Sequence, residues 1–359
     1  MRATLPSTDM KRMVRSIVSD NKTPGLDSVL LSCNASGVLL YSTDMVNAVT
    51  VRTPTSVASV TESGHCSVNA DLFKSAVGRT DGEVSLHVVG NKLRMRSEHS
   101  DYTLILSDEE PPKYYVSSGN PSLTLSDVQL NYLAALAGAC SEDPGANATT
   151  GVHFNLEHQE AVATDQRALA VLPLGNVVTS NTKVTVNGKA LKLLPKLGGE
   201  AGLYVNASDP HGLEFRGENW TVWACLVAGE YPPYRSIMPS DPAKSGSISV
   251  VVDRKDLLTA LESAAVIPHS RLELNATTDS LTLSGASHDA GSSEAWVECA
   301  STGDVLTYVP SGYLLRCLKG EDCSSIKLYY YEPSEDEGGT GGKLVIVGGM
   351  KTLIATADA

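Results

Sequence analysis

An internal repeat with a period of about 120 residues constrains the fold of this chain more than any other feature of its sequence. A strand pattern that runs directly into a helix pattern occurs three times, and the aligned residues Val68, Val186 and Val309 are 118 and 123 positions apart. In each copy the residue after the valine suits a helix start, and apolar residues then recur with helical spacing. A fixed period of this kind is typical of tandem structural units, so the chain is predicted to contain three copies of one fold.

Two further landmarks repeat in the same order. A strand residue precedes another helix pattern at Leu5, Leu125 and Val252, which are 120 and 127 positions apart. A strand that ends in Thr-Asp reaches Asp44 and Asp165, 121 positions apart, with a weaker counterpart in the third copy. Three landmarks that recur together predict that each copy holds the same succession of strands and helices.

The segments between the predicted helices alternate polar and apolar residues, as at 83–88 and 92–96, and this alternation predicts antiparallel strands. Turn-forming residues cluster near 109–121 and 239–247, where they predict boundaries between copies. The fold class is therefore predicted to be α+β, with two helices on an antiparallel sheet in each copy. The three predicted domains are 1–119, 120–245 and 246–359.

Positive charge concentrates on the predicted helices, although the formal net charge of the chain is -13. The helices are predicted at Ser7–Ser19, Asn69–Arg79, Ser126–Cys140, Asn187–Leu197, Asp253–Ala265 and Ser311–Lys319. They contain 12 of the 28 Lys and Arg residues but 6 of the 41 Asp and Glu residues. A cationic helical surface on an acidic protein suits the phosphates of a nucleic acid, which it attracts without reading bases.

Twelve basic side chains are predicted to face duplex DNA on this surface. They are Lys11, Arg12, Arg15, Lys74, Arg79, Lys189, Lys192, Lys196, Arg254, Lys255, Arg316 and Lys319. The helix predicted at 126–140 carries no Lys or Arg, so the positive lining is expected to be uneven.

No motif in the sequence indicates catalysis, a metal site or a cofactor. G-x-S-x-G and H-E-x-x-H are absent, and the glycine run before Lys343 lacks the first Gly and the final Ser or Thr of a phosphate loop. No apolar run approaches the ~20 residues of a membrane span, and the first residues do not resemble a secretory signal. The chain is predicted to be a cytoplasmic protein without enzymatic activity.

Two stretches resemble the bacterial DNA polymerase III β sliding clamp. Residues 161–171 read AVATDQRALAV and residues 229–239 read GEYPPYRSIMP, close to two patterns in the middle domain of that family. The resemblance covers the whole length and implies a head-to-tail homodimer whose six domains form a ring, with helices inside and sheets outside. It also implies a processivity factor that encircles double-stranded DNA and is opened by a clamp loader. DNA polymerases and repair proteins would bind through short linear peptides.

The resemblance also implies two sets of binding residues. The peptide cleft is expected to contain Thr164, Arg167, Leu169, Pro232, Ile237, Leu353 and Ile354. The dimer interface is expected to contain Tyr102, Leu104, Val266 and Ile267. Gln166, Ala168, Ser236 and the last residues, 355–359, depart from the family pattern. These departures indicate a divergent clamp, encoded by a bacterium or by a phage, and leave its peptide preference open.

Three other interpretations remain at this stage. A clamp of the eukaryotic and archaeal type is a trimer of two-domain chains, and three repeats in one chain disfavour it. An acidic, β-rich structural or surface protein, such as a virion component, fits the composition and predicts no retention on DNA. An enzyme built from repeats is disfavoured because no nucleophile and base, and no metal ligands, are suitably arranged.

Overall fold

The same order of strands and helices occurs three times in the computed structural model. The structure describes residues 1–54, 56–114, 119–175, 181–205, 211–238, 247–269, 271–331 and 342–355, without the side chains of 144, 311, 316, 351, 353 and 355. We call the three runs repeat 1, repeat 2 and repeat 3. The α+β class and the threefold repeat are confirmed.

The bounds of the elements follow one pattern, a strand and a helix, then strands, a second helix and three strands. Repeat 1 contains β1 (Arg2–Pro6), α1 (Ser7–Val14), β2 (Ser28–Asn34), β3 (Gly37–Thr43), β4 (Asn47–Arg52), β5 (Ser59–Glu62), β6 (Gly64–Asn69), α2 (Ala70–Gly78), β7 (Glu83–Val89), β8 (Lys92–Arg96) and β9 (Asp101–Ile105). Repeat 2 contains β10 (Leu123–Leu125), α3 (Asp127–Leu136), β11 (Gly151–Asn155), β12 (Glu160–Thr164), β13 (Ala168–Pro173), β14 (Lys183–Asn187), α4 (Gly188–Leu191), α5 (Leu194–Leu197), β15 (Ala201–Val205), β16 (Gly212–Arg216) and β17 (Trp220–Cys225). Repeat 3 contains β18 (Ile248–Asp253), α6 (Arg254–Ala264), β19 (Arg271–Ala276), β20 (Ser280–Ser287), β21 (Gly291–Ser301), β22 (Val305–Pro310), α7 (Ser311–Gly320), β23 (Ser325–Tyr331), β24 (Lys343–Val347) and β25 (Lys351–Ala355).

Helices occur in all six predicted regions, and three of them differ from the prediction. The third ends at Leu136, not at Cys140, and a 3-10 turn follows at Ala137–Ala139. The first ends at Val14, not at Ser19, because the hydroxyl of Ser16 donates to the carbonyl of Met13 at 2.9 Å and competes with the helical pattern. The fourth is divided into α4 and α5. Pro195 explains this break, since its ring has no N–H and would collide with the carbonyl of Leu191 in a continuous helix.

Contacts divide the chain into two compact units, unit 1 (1–130 and 189–226) and unit 2 (131–188 and 227–359). Unit 1 contains a five-stranded sheet, in the order β5-β1-β7-β8-β9, and an eight-stranded sheet, in the order β10-β15-β16-β17-β4-β3-β2-β6. In the eight-stranded sheet the last strand of repeat 2, β17, pairs with β4 of repeat 1. Phe73 of α2 and Leu86 and Met95 of the sheet are fully buried in this unit.

Unit 2 contains one sheet of twelve strands, in the order β14-β11-β12-β13-β25-β24-β23-β18-β21-β20-β19-β22. Here the last strand of repeat 3, β25, pairs with β13 of repeat 2. Leu257 of α6 and Leu314 of α7 are fully buried in the core on one face of this sheet. Asp253 stabilises the start of α6, because its Oδ1 accepts the N–H groups of Lys255 at 2.8 Å and Asp256 at 3.1 Å.

The compact units do not coincide with the predicted domains 1–119, 120–245 and 246–359, whose limits stay a prediction. Sheet hydrogen bonds explain the difference, since one half of repeat 2 pairs with strands of repeat 1 and the other half with strands of repeat 3. Most of the second predicted boundary, at 239–246, lies outside the described residues, as does most of the glycine run before Lys343. Among the described helices, none is long and apolar enough to cross a membrane.

Candidate functional site

The turn between β12 and β13 is held in one conformation by its own side chains. Asp165 Oδ1 accepts the backbone N–H groups of Arg167 at 3.0 Å and Ala168 at 2.9 Å. Thr164 Oγ1 donates to the carbonyl of Ala168 at 2.7 Å and accepts the N–H of Gln166 at 3.0 Å. Gln166 has a φ of 75°, in the left-handed region that few residues other than glycine adopt. The exposed side chain of Arg167 therefore projects from a fixed turn.

The segment 231–238, which we call the tyrosine-rich segment, lies on the same sheet. Tyr231 fixes its first part. The Tyr231 ring stacks on His153 with 4.5 Å between centroids, and its hydroxyl donates to the carbonyl of Val162 at 3.3 Å. His153 is buried, and its Nδ1 lies 3.0 Å from the hydroxyl of Thr185. Burial lowers the pKa of His153 to about 4, because the cationic imidazolium loses its hydration. The imidazole is therefore neutral at pH 7.

Tyr234 fixes the second part of this segment through polar contacts. Its hydroxyl donates to Glu160 Oε1 at 2.6 Å and accepts a hydrogen bond from Asn155 Nδ2 at 3.1 Å. Arg235 Nη1 contacts the same oxygen of Glu160 at 2.6 Å. Burial, reinforced by the Glu160 carboxylate, raises the pKa of Tyr234, so its hydroxyl keeps its proton and remains a donor.

The turn and the tyrosine-rich segment enclose an apolar cleft of about 400 Å³ in unit 2. Its lining consists of Thr164, Gln166, Arg167, Ala168, Leu169, Pro232, Pro233, Tyr234, Ser236, Ile237 and Lys343. The side chain of Ile237 is 51% exposed at its edge. An apolar cavity with a few polar groups at its rim suits a short peptide or a small apolar ligand.

Five of the seven residues expected in the peptide cleft line this cavity, namely Thr164, Arg167, Leu169, Pro232 and Ile237. The backbone of Leu353 pairs with Leu169, but its side chain lies outside the described part of the chain. Ile354 is not among the residues that line this cavity, and its place in the cleft stays a prediction. Its side chain is fully buried in the helix-covered core of unit 2, because successive strand residues point to opposite faces of a sheet.

Six lining residues were not among the expected positions. Gln166, Ala168, Pro233, Tyr234 and Ser236 lie inside the two stretches that carry the family resemblance, so their positions in the sequence could have indicated them. Lys343 begins β24, far along the chain, and reaches the cleft only through sheet pairing. No local pattern in the sequence reveals a neighbour of that kind.

Eight of the basic residues predicted to face DNA belong to unit 1. They lie on or directly after its helices, and six of the side chains are exposed: Arg12, Arg15, Arg79, Lys189, Lys192 and Lys196. Lys11 and Lys74 are half-buried. Two local ion pairs reduce the positive charge, since Arg12 lies 3.4 Å from Asp9 and Lys74 lies 3.6 Å from Asp71.

The other four basic residues belong to α6 and α7 of unit 2. Lys255 is exposed, and exposed Lys319 lies 3.2 Å from Glu262. Arg254 is half-buried, and its Nε donates to the carbonyl of Leu318 at 3.1 Å, near the end of α7. That contact gives Arg254 a role in joining two helices. The Arg316 side chain lies outside the described part of the structure.

The four residues expected at a dimer interface lie at two separate places. Tyr102 and Leu104 are half-buried on β9, an outer strand of the five-stranded sheet of unit 1. In unit 2, Val266 and Ile267 follow the end of α6, and Val266 is 74% exposed.

Comparison with the sequences of known proteins gives matches along most of the chain. No protein-family profile matches it. The β sliding clamp of Synechococcus elongatus is 26% identical over 345 residues, which cover 90% of this chain and 89% of that protein. The β sliding clamp of Proteus mirabilis is 24% identical over 319 residues, 85% of each chain.

Solved structures match the fold over the full length. The Bacillus subtilis DNA polymerase sliding clamp has a TM-score of 0.80 and 19% identity, covering 100% of this chain and 99% of its own. The Bartonella birtlesii sliding clamp, DNA polymerase III subunit beta, bound to griselimycin has a TM-score of 0.80 and 19% identity, covering 100% of both chains. The fold is that of the bacterial DNA sliding clamps. In sequence, this chain is a divergent relative of the bacterial β sliding clamp.

Proposed function

We propose that this chain is a DNA polymerase processivity factor. Two protomers form a head-to-tail ring that encircles double-stranded DNA, slides without reading bases and performs no catalysis. The observation that carries this proposal is the strand pairing that joins one repeat to the next, because the same pairing between two protomers would close a ring. A closed ring of two identical chains is also a common symmetry for a homodimer.

Two strand edges are suited to this closure. The last strands of repeats 2 and 3 pair with β4 and β13, the corresponding strands of repeats 1 and 2. Within the described residues, β9 pairs only with β8, and the Gly291–Glu298 part of β21 pairs only with β20. By their order in the repeats, β9 corresponds to β17 and β25, and β21 corresponds to β4 and β13. We therefore propose that β9 of one protomer pairs with β21 of its partner.

The chemistry of these edges favours the same contact. Ile105 on β9 is 70% exposed and Trp296 on β21 is 72% exposed, so each edge presents a large apolar side chain that a partner can bury. Opposite charges flank the two edges, with Lys92 and Arg94 on β8 and Glu294 and Glu298 on β21, whereas Arg96 on β8 is paired with Asp101 on β9 at 2.8 Å. Complementary charge of this kind fixes the orientation in which two surfaces meet.

The expected interface residues are close to these edges. Tyr102 and Leu104 lie on β9 itself. The hydroxyl of Ser293 on β21 donates to the carbonyl of Ala264 at 2.6 Å, which ties β21 to the end of α6, shortly before Val266. We propose that Tyr102 and Leu104 pack near Val266 and Ile267 of the partner protomer.

The basic helices supply the attraction to DNA in this proposal. The exposed side chains of Lys189, Lys192 and Lys196 belong to one short stretch, and Lys255 adds to them from repeat 3. Diffuse contacts with phosphates hold the protein near the duplex but carry no sequence information, so they permit sliding. Arg254 is the least suited of the twelve, because its guanidinium already binds Leu318.

The cleft supplies the tether to other proteins. We propose that a clamp loader opens the ring, and that DNA polymerases and repair proteins place short linear peptides against Thr164, Arg167, Leu169, Pro232 and Ile237. The work of such a protein takes place on DNA, in the cytoplasm of a bacterium or of a phage-infected bacterium. The three repeats would form the domains 1–119, 120–245 and 246–359.

Retention on circular DNA tests this function. The protein is loaded onto a nicked plasmid by a bacterial clamp loader, washed in about 0.5 M NaCl and then treated with a restriction enzyme that linearises the plasmid. Contacts with phosphates weaken steeply with salt on either template, whereas a ring leaves only over a free end. We expect retention on the circle and loss after linearisation. Equal retention on circular and linear DNA would contradict the clamp, and so would no retention on either.

A matched pair of variants connects retention to ring closure. Ile105→Asp places a charge in the proposed contact between protomers and should abolish both the dimer mass in solution and retention on the circle. Val89→Asp is the control, because Val89 is also exposed but lies on β7, an inner strand of the same sheet. If both variants retained DNA equally, the proposed position of the ring joint would be wrong.

A further inference from the structure

Unit 1 contains a turn with the same geometry as the turn of the cleft. Between β3 and β4, Thr43 Oγ1 donates to the carbonyl of Asn47 at 2.8 Å. Asp44 Oδ1 accepts the N–H groups of Val46 at 3.0 Å and Asn47 at 2.6 Å. Met45 has a φ of 71°, close to the 75° of the corresponding residue in unit 2. The two turns therefore have the same hydrogen bonds at the same positions.

Strand pairing extends this equivalence to the floor of the cleft. Where β13 pairs with β25, Leu169 is the partner of Leu353. Where β4 pairs with β17, Ala48 is the partner of Trp223. Leu169 and Ala48 each lie opposite the threonine that opens the turn. Ala48 and Trp223 thus occupy in unit 1 the positions of Leu169 and Leu353 in unit 2.

A tyrosine of the chain itself lies at this place in unit 1. The ring of Tyr114 stacks on Trp223 with 4.1 Å between centroids and 16° between planes. Its hydroxyl donates to the carbonyl of Met45 in the turn at 3.1 Å. Tyr41 holds the preceding segment, because its hydroxyl donates to the carbonyl of Pro112 at 2.5 Å. Tyr114 therefore fills the counterpart of the cleft with an aromatic side chain and a hydrogen bond.

The corresponding tyrosine of unit 2 takes a different position. Equivalent hydrogen bonds align the two segments that lead to these tyrosines. The N–H of Ser107 donates to the carbonyl of Ser67 on β6 at 2.8 Å, and the N–H of Val227 donates to the carbonyl of Thr185 on β14 at 2.7 Å. Tyr114 and Tyr234 each follow seven residues later. Tyr234 turns toward β11 and β12 and forms a wall of an open cavity, whereas Tyr114 lies over β4 and β17.

The strand residues explain why the two tyrosines differ. Asn155 and Glu160 are cross-strand partners in unit 2, and both bind the hydroxyl of Tyr234. The partners at the same positions in unit 1 are Ser32 and Leu39. Leu39 offers no acceptor, and Ser32 has a shorter polar side chain than Asn155. The carbonyl in the turn is an acceptor that the Tyr114 hydroxyl reaches.

We propose that unit 1 contains a second pocket, equivalent to the cleft, that accepts a phenol ring and is filled by the chain's own Tyr114. The pocket consists of Ala48, Trp223 and the turn at 43–47, and it is closed to external ligands while Tyr114 is in place. If the proposed function holds, each protomer then offers partners one open cleft, although its fold provides two.

Titration of the Tyr114→Ala variant with p-cresol, the isolated side chain of tyrosine, tests this proposal. The full-length variant should bind p-cresol saturably, with a Kd on the order of 1 mM for so small a ligand. Binding should change tryptophan fluorescence, because Trp223 forms one face of the pocket. Wild type and Tyr114→Phe, which both keep the ring in place, should show no saturable change. Toluene, which lacks the hydroxyl, should bind the variant more weakly than p-cresol does.

Thermal unfolding makes the test decisive even if Tyr114→Ala folds poorly. A ligand that binds only the folded state raises the melting temperature. We therefore expect p-cresol to raise the Tm of Tyr114→Ala more than that of wild type, or to restore its folding. Equal shifts in both proteins, or no effect on the variant, would overturn the proposal. Neither readout depends on DNA, so failure here is distinguishable from failure of the clamp function.

Discussion

The cleft of unit 2 and the filled pocket of unit 1 have the same turn and the same strand pairing, yet only the cleft is open. The difference arises on the neighbouring strands, where Asn155 and Glu160 of unit 2 correspond to Ser32 and Leu39 of unit 1. The hydroxyl of Tyr234 binds both of these unit 2 side chains, whereas the ring of Tyr114 stacks on Trp223. Two polar side chains thus distinguish the strands beside the open site from those beside the closed one.

The support beneath the two tyrosine segments differs as well. In unit 2, His153 lies under Tyr231 in a stacked pair. By register, the same strand position in unit 1 is Leu30, which packs in the cluster around Tyr41 and Trp223. Unit 2 therefore contains a buried titratable group beside its cleft, and unit 1 has an aliphatic side chain there. The open site should depend on pH in a way that the closed one does not.

The largest expected effect, on the pH dependence of stability, comes from replacing His153 by leucine, the residue at the same position in unit 1. Burial lowers the pKa of His153 from 6.5 to about 4, so the folded protein favours neutral imidazole. Its contribution to stability is complete above pH 6.5 and is lost as pH falls from 6.5 toward 4, because the unfolded chain binds the proton first. Wild type should lose about 3 kcal/mol more unfolding free energy between pH 7 and pH 4 than His153→Leu does.

Urea unfolding of both proteins at several pH values measures this difference. All other titrating groups are common to the two proteins, so subtraction isolates His153. Parallel curves would show that the imidazole is hydrated in the folded state, and the explanation for its low pKa would then fail.

A smaller effect is expected when Asn155 and Glu160, which bind the Tyr234 hydroxyl, are replaced by the serine and leucine found at these positions in unit 1. The double variant Asn155→Ser with Glu160→Leu leaves the Tyr234 hydroxyl without its two partners. We expect the ring to move over Leu169, as Tyr114 lies over Ala48, and to narrow the cleft. Toluene, a small apolar ligand suited to an apolar cleft, serves as the probe, and its affinity should fall about tenfold, equivalent to 1.4 kcal/mol.

Two further variants make the result interpretable. Glu160→Gln keeps an acceptor for the tyrosine hydroxyl and should bind toluene nearly as well as wild type does. Ile237→Asp places a charge at the cleft and should abolish binding. Unchanged affinity in the double variant, together with loss in Ile237→Asp, would show that Tyr234 does not need its anchor to leave the cleft open.

The sequence predicted the repeat and the local motifs because these features depend on residues close together in the chain. Val68, Val186 and Val309 each precede a helix, and the five residues in the cleft lie in two continuous stretches and line one cavity. Pro195 shows that a local signal can also be missed, since its break in the fourth helix follows from its ring alone.

Other features could not be predicted because they depend on pairing between distant strands. Lys343 reaches the cleft through the twelve-stranded sheet, and the burial of Ile354 in a core cluster depends on the register in which β25 pairs. The sequence also does not predict that the rings of Tyr114 and Tyr234 take different positions, since both follow similar proline-containing segments. Their positions depend on Leu39 and Glu160, which are distant from them in sequence.

The smallest expected effect concerns the hydroxyl of Tyr114 alone. Tyr114→Phe keeps the stacked ring on Trp223 but removes the donor to the Met45 carbonyl, which remains partly accessible to water because Met45 is 53% exposed. Urea unfolding should show a loss of about 1 kcal/mol, the usual net contribution of one hydrogen bond. Tryptophan fluorescence should stay close to that of wild type, because the ring still covers Trp223. A large change in fluorescence would mean that the hydrogen bond, not the apolar contact, holds Tyr114 in the pocket, and the closed site of unit 1 would then depend on a polar anchor just as the open site does.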